Sequence, residues 1–162
     1  MFTKCCALLA RICLKTAVGG LIAIILCVLL QVFGRYVLND TPTWAEALAM
    51  LLVLYVTMLG ASVGVRDAGH IGMESLLVLV AAPVREKIEL VIHVLVTGFG
   101  AAMAWNGAYL AYSVMDYNIP TLSISEGFKH LPLVLAGVLI TLFSIEHIIA
   151  QLQGKAVAPA WH

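Results

Sequence analysis

Residues 16–33 have the sequence TAVGGLIAIILCVLLQVF, a stretch without a charged side chain. An α-helix rises about 1.5 Å per residue, so about 20 apolar residues cross the roughly 30 Å hydrocarbon core of a bilayer. Three more runs of similar length and polarity follow this one. The sequence therefore predicts four membrane-spanning helices, at about residues 16–36, 44–65, 88–114 and 131–151.

The overall composition is typical of a membrane-embedded chain. Of its 162 residues, 62% are hydrophobic and 11% are charged, whereas soluble domains carry about 25% charged residues. We predict an all-α integral membrane fold in which residues 1–162 form one four-span domain. The loops are too short to enclose a substrate, and the sequence has no phosphate-binding glycine loop and no nucleophile elbow. We therefore predict neither an enzyme activity nor a bound cofactor.

Lysine and arginine residues are distributed unequally between the two ends of the predicted spans. Seven of the nine precede the first span, separate the second from the third, or follow the fourth: Lys4, Arg11, Lys15, Arg66, Arg85, Lys87 and Lys155. The other two, Arg35 and Lys129, lie at the opposite ends. Because such residues are enriched on the cytoplasmic side, both termini are predicted to be cytoplasmic. The formal net charge is zero, and no nucleic-acid partner is expected.

A short apolar segment, residues 75–82, lies between the second and third predicted spans. It follows a polar turn around Gly69 and is bounded by Pro83. The segment is too short to cross the membrane. We predict a short helix that lies in the membrane interface.

The third predicted span carries glycine and alanine residues four positions apart. The pairs are Gly98/Ala102, Gly100/Ala104 and Ala104/Ala108. This spacing lets helix backbones approach closely in lipid. We therefore expect close contacts between this helix and its neighbours.

Four ionisable residues fall inside the third and fourth predicted spans. Glu89 and His93 are four residues apart on one helix face, and Glu146 is adjacent to His147. Ionisable groups are costly in a membrane, so we expect them to pair across the two helices. We interpret them as a structural polar clamp near the cytoplasmic surface. Two alternatives remain open: axial ligation of a haem iron by the two histidines, and a proton relay.

The four cysteines, Cys5, Cys6, Cys13 and Cys27, all lie before or within the first predicted span. Under the predicted topology none reaches the oxidising side of the membrane. We therefore expect free thiols in place of structural disulfides. These positions also disfavour a thiol oxidoreductase, which needs reactive cysteine pairs on the oxidising side.

A series of motifs in the first half of the chain resembles a known family. In order, the motifs are Gly34-Arg35-Tyr36, Trp44-x-Glu46, Gly60-Ala61, Arg66 and His70-Ile71. Their order and their placement relative to the spans resemble the small membrane subunit of tripartite ATP-independent periplasmic (TRAP) transporters. The four-span layout and the chain length match as well. The family often has two consecutive acids after the tryptophan, and here the second position is Ala47, so the resemblance implies no carboxylate pair in this chain.

The resemblance implies a scaffold subunit in a bacterial inner membrane. Its partners would be membrane lipid, a large multi-span permease subunit that binds substrate and sodium, and a periplasmic binding protein that delivers an organic acid. The small subunit would support sodium-coupled symport without holding the substrate itself. Five residues are candidates for holding the fold and the subunit contact: Arg35, Trp44, Glu46, Arg66 and His70.

The alternative function is a four-helix membrane redox protein. One form is a b-type cytochrome with His93 and His147 as ligands, and the other is a quinone-linked thiol oxidoreductase. The transported substrate would be selected by other chains, and the sequence of this one does not identify it.

Overall fold

The computed structural model describes residues 2–40, 42–67 and 82–153. In these ranges it contains four helices long and apolar enough to cross a membrane: α1 (Phe2–Phe33), α2 (Thr43–Asp67), α3 (Ala82–Ser113) and α4 (Leu131–Leu152). The predicted all-α fold with four candidate spans is therefore confirmed. The short helix predicted at residues 75–82 lies outside the described residues, except for the last position, and so does His70.

Helix α1 begins at residue 2, well before the predicted start of the first span near residue 16. The alanine, leucine, lysine and arginine residues in the added segment favour helix. Cys6, Ala10, Cys13 and Ala17 are buried at intervals of three and four residues, so one face of this extension packs into the bundle. The apolar run predicted the span, while contacts with other helices extend the helix beyond it.

Helix α3 also begins earlier than predicted, at Ala82 instead of near residue 88. Pro83 was expected to end the preceding segment, but it lies in the first turn of α3. Proline is tolerated there because the first N–H groups of a helix have no intrahelical partner. Pro132 lies in the first turn of α4 for the same reason.

Helix α4 lies between α2 and α3, and α1 packs against α2. The contact between α3 and α4 is close enough to require glycine. A Cβ added at Gly137 would lie 2.5 Å from the backbone nitrogen of Ala104, and one added at Gly100 would lie 3.0 Å from the Gly137 carbonyl oxygen. Some of the small residues singled out in α3 therefore do serve helix packing.

Two threonine hydroxyl groups inside the spans form hydrogen bonds within their own helices. Thr57 donates to the carbonyl of Val53 at 2.7 Å, and Thr141 donates to that of Gly137 at 2.8 Å. Such bonds to the preceding turn remove the need for water in the membrane interior.

A π-helical turn, Gly34–Leu38, joins the end of α1 to the connection with α2. The chain then reverses at Asn39, which has a left-handed backbone (φ 52°) that asparagine adopts more readily than most residues. A Cβ at Gly34 would lie 2.7 Å from the carbonyl oxygen of Asp40. The close approach of these two backbone segments explains the glycine in the Gly34-Arg35-Tyr36 motif.

The polar loop at residues 116–130 folds into a small hairpin at the same end of the bundle as this turn. Strand β1 (Asn118–Ile119) pairs antiparallel with β2 (Ile124–Ser125), and a 3₁₀ turn, Glu126–Lys129, leads into α4. The Tyr55 hydroxyl of α2 donates to the carbonyl of Phe128 at 3.1 Å. The hairpin is thereby tied to the bundle.

Candidate functional site: a buried ionic cluster

Arg66 and Glu146 form a buried ion pair between α2 and α4. Arg66 Nε donates to Glu146 Oε2 at 3.0 Å, and Arg66 Nη2 donates to Oε1 at 3.2 Å. Both side chains are only 1% exposed. Two parallel bonds from a planar guanidinium to a carboxylate fix both distance and orientation. The pair therefore sets how α2 and α4 lie against each other at this end of the bundle.

The remaining surface of the Arg66 guanidinium is also in contact with the protein. Its Nη1 donates to Oδ1 of the neighbouring Asp67 at 3.1 Å. The aromatic ring of Phe143 lies 5.9 Å from the guanidinium carbon, within range of a cation–π interaction. A buried charge is costly unless it is paired and hydrogen-bonded, and both conditions are met here.

Two histidines extend this site towards α3. The Nε2 of His147 lies 2.8 Å from the carbonyl oxygen of Arg66, and because a carbonyl only accepts, this nitrogen is the donor. His93 of α3 stacks on His147 with ring centroids 4.7 Å apart and an interplanar angle of 2°. Both histidines are buried. This stack links α3 to α4, and the hydrogen bond links α4 to α2.

The buried thiol of Cys6 brings α1 to the same site, where it interacts with the Glu146 carboxylate. We call the six residues from four helices the Arg66 cluster: Cys6, Arg66, Asp67, His93, Glu146 and His147. A small apolar core lies beside it, built from Ala10, Cys13, Val63 and Phe143. The start of α1, the end of α2, the first half of α3 and the second half of α4 thus meet at one end of the bundle.

The geometry of the cluster suits structural clamping. The charged groups of Arg66, Asp67 and Glu146 pair with one another. The stacked histidine rings do not suit axial ligation of one haem iron, because two axial histidines approach the iron with ring nitrogens from opposite faces of the porphyrin. No group of three or more His, Cys, Asp or Glu side chains within the described ranges is arranged to hold a metal ion.

Glu89, the fourth residue expected in the polar clamp, lies outside the Arg66 cluster. It accepts a hydrogen bond from Arg85 Nε at 2.9 Å, four residues earlier on α3. This pair is partly exposed. The Glu89 carboxylate thus pairs with a cation on its own helix, and a joint role of Glu89 and His93 stays a prediction.

The candidates at the other end of the bundle lie on the surface. Arg35 and Glu46 are exposed, and Trp44 is about half-exposed. Within the described part of the chain, the side chains of Arg35 and Glu46 have no hydrogen bond or ion pair. Their side chains are thus available for contacts with lipid or with another subunit, and that role remains a prediction.

Sequence reasoning identified most members of the cluster but not their partners. Arg66 was predicted to lie between the second and third spans, whereas it lies in α2 and its partner Glu146 is 80 residues away. Asp67 and Cys6 were missed as members. The available signal was the cost of a charge in an apolar segment: Arg66 at the end of α2 required an acid at the same depth, and Glu146 was the one buried acid in α4.

The fold and the cluster define a multi-pass membrane protein whose buried polar groups hold helices together. Residues 24–154 match the family described as tripartite ATP-independent periplasmic transporters, DctQ component. The chain belongs to this family of small TRAP transporter subunits. It is therefore a transporter component, as the resemblance implied.

The chain is similar to three known TRAP transporter proteins. The chain is 26% identical over 129 residues to the sialic acid TRAP transporter small permease protein SiaQ of Vibrio cholerae, covering 79% of this chain and 75% of SiaQ. It is 30% identical to the C4-dicarboxylate TRAP transporter small permease protein DctQ of Pseudomonas aeruginosa, covering 43% and 33%. It is 35% identical to the sialic acid TRAP transporter permease protein SiaT of Haemophilus influenzae, over 51% of this chain and 14% of SiaT.

Proposed function

We propose that this chain is the scaffold subunit of a TRAP-type secondary transporter. It supports a separate large permease subunit in sodium-coupled, binding-protein-dependent uptake of an organic acid across a bacterial inner membrane. The observation that carries this proposal is the Arg66 cluster, in which the buried charged groups serve to hold the four helices together. A rigid bundle of this kind suits the support of a partner subunit.

The lengths of the relatives support a large partner. The aligned part covers only 14% of SiaT, so most of that permease has no counterpart in this chain. We infer a large permease subunit as the partner, because SiaQ and DctQ are named as small permease proteins of TRAP transporters. Sialic acid and C4-dicarboxylates, named for the relatives, both carry carboxylates, which supports an organic acid as the substrate class.

Reconstitution tests this function. In proteoliposomes the chain alone should give no sodium-dependent uptake of sialic acid or a C4-dicarboxylate. Addition of the large permease subunit and the periplasmic binding protein should produce uptake that disappears without a sodium gradient. Omission of the small subunit from the complete mixture is the matched control and should abolish uptake. Saturable, sodium-dependent uptake by the small subunit alone would overturn the scaffold assignment.

We propose that both termini are cytoplasmic, with the Arg66 cluster near the cytoplasmic surface and the hairpin outside. The unequal distribution of lysine and arginine supports this orientation. Single cysteines at Asn39 and Asn118 should react with a membrane-impermeant maleimide added to intact spheroplasts, in a background where the native cysteines are replaced. Cysteines at Gly69 and Gly154 should react only after lysis. Labelling of Gly69 from outside would disprove this topology.

A further inference from the structure

The outward-facing sides of α1 and α3 differ in chemistry. Between residues 18 and 32, the exposed large hydrophobic side chains of α1 are valine, leucine and isoleucine only, which suits contact with lipid chains. Helix α3 exposes Phe99, Trp105 and Tyr109 together with Asn106. Aromatic residues are enriched at protein interfaces. Tyr109 is close enough to the helix end to sit in an interfacial aromatic belt, but Phe99, Trp105 and Asn106 lie deeper.

Asn106 is a polar side chain on the exposed side of a membrane-spanning helix. It lies seven residues before the end of α3 at Ser113, which is about 10 Å along the helix axis. Its Nδ2 donates to the carbonyl of Ala102 at 2.8 Å, and no other described residue bonds its Oδ1. An amide oxygen facing hydrocarbon is costly. The position therefore favours a hydrogen-bond donor from outside this chain.

The same side of α3 leaves room for another helix to approach. Gly98, Ala102 and Asn106 follow one another at intervals of four residues. A Cβ added at Gly98 would meet nothing within 4 Å, and Ala102 is exposed. Gly100, in contrast, is used in the contact with α4. Small residues at this spacing let two helix backbones come close in lipid, and polar residues then bond across the contact.

We propose that this side of α3 docks a membrane helix of the large permease subunit, which presents a hydrogen-bond donor at the depth of Asn106. We call it the Asn106 face: Gly98, Phe99, Ala102, Trp105, Asn106 and Tyr109. The proposal rests on the proposed function, which supplies the partner. A lipid acyl chain offers no donor to the Asn106 oxygen, whereas a protein helix does. Most of SiaT lies outside the part that aligns with this chain. This supports a large subunit, and not a second copy of this chain, as the partner that docks here.

The test combines photocrosslinking with co-purification. The photoreactive residue p-benzoylphenylalanine replaces Ala102 in the full chain. As a control, it replaces the exposed Leu26 of α1. Each variant is co-expressed with a tagged large permease subunit. Irradiated membranes should yield a product from position 102 that mass spectrometry identifies as this chain joined to the large subunit, and no such product from position 26. Asn106→Leu should lower the small subunit recovered with the tagged partner about fivefold, while Leu26→Ala leaves recovery unchanged.

The outcomes separate this proposal from the function on which it rests. If the wild-type chain is recovered with the large subunit, but position 102 crosslinks only to a second copy or to no protein, the Asn106 face is not the docking site and the scaffold function stands. The same conclusion holds if Asn106→Leu retains full recovery. If the wild-type chain itself is not recovered with the large subunit, the proposed function fails, and the docking proposal with it.

Discussion

Replacement of Glu146 by leucine should lower the free energy of unfolding by about 3–5 kcal/mol, the usual cost of removing one partner of a buried ion pair. The substitution takes away both acceptors of the bidentate bond from Arg66, while the bond from Arg66 to Asp67 remains. It also removes the carboxylate with which the Cys6 thiol of α1 interacts. Denaturant titration of the purified protein in detergent, followed by circular dichroism, measures the effect.

Two variants serve as controls for this prediction. Glu146→Gln keeps one acceptor oxygen for Arg66. Its free energy of unfolding should therefore lie between those of the wild type and of Glu146→Leu. Glu89→Leu removes the partly exposed pair with Arg85 on α3, and its effect should stay below about 1 kcal/mol. If Glu146→Leu were as stable as Glu89→Leu, the Arg66 cluster would not be the clamp that holds the helices together.

The variant Gly137→Ala should destabilise the protein by about 3 kcal/mol, at the upper end of the cost of overpacking. The added Cβ would meet the backbone nitrogen of Ala104 at 2.5 Å and the backbone carbonyl oxygen of Gly100 at 2.7 Å. A flexible side chain can move away from such a contact by itself, but a backbone atom moves only together with its helix. Helices α3 and α4 would have to separate, which also pulls His93 away from His147. Thermal unfolding in detergent gives the measurement.

Gly60→Ala is the matched control for this second prediction. Gly60 lies inside α2, and a Cβ there would meet nothing within 4 Å. Alanine favours helix over glycine by roughly 0.5–1 kcal/mol, so this variant should be neutral or slightly stabilised. Equal effects of the two substitutions would show that the contact between α3 and α4 is looser than the structure indicates.

These predictions give different roles to the buried groups and to the exposed Asn106 face of this subunit. The Arg66 cluster and the glycine contacts of α4 use buried groups to hold the bundle rigid. The Asn106 face of α3 leaves a polar group and small residues uncovered, as a docking surface would. A rigid interior with one uncovered face agrees with the proposed scaffold role.

The amino-acid sequence by itself determined the class of the protein and the number of its spans. Each apolar run is long enough to cross the hydrocarbon core, and the length of a run is a local property of the sequence. The motifs around Gly34, Trp44 and Arg66 were likewise sufficient to indicate the TRAP small-subunit family, and the match over residues 24–154 confirmed it. The ends of α1 and α3 were less well predicted, because helix continues beyond the apolar runs.

Only the tertiary structure decided which residues meet. Arg66 pairs with Glu146, and His93 stacks on His147. Glu89 accepts a hydrogen bond from Arg85 on its own helix. The reason is that a membrane helix is apolar on the side facing lipid as well as on the side facing its neighbours, so the sequence pattern does not reveal how the helix is rotated. Rotation and depth are set by contacts between helices, and they determine which small residues pack inside and which are left for a partner.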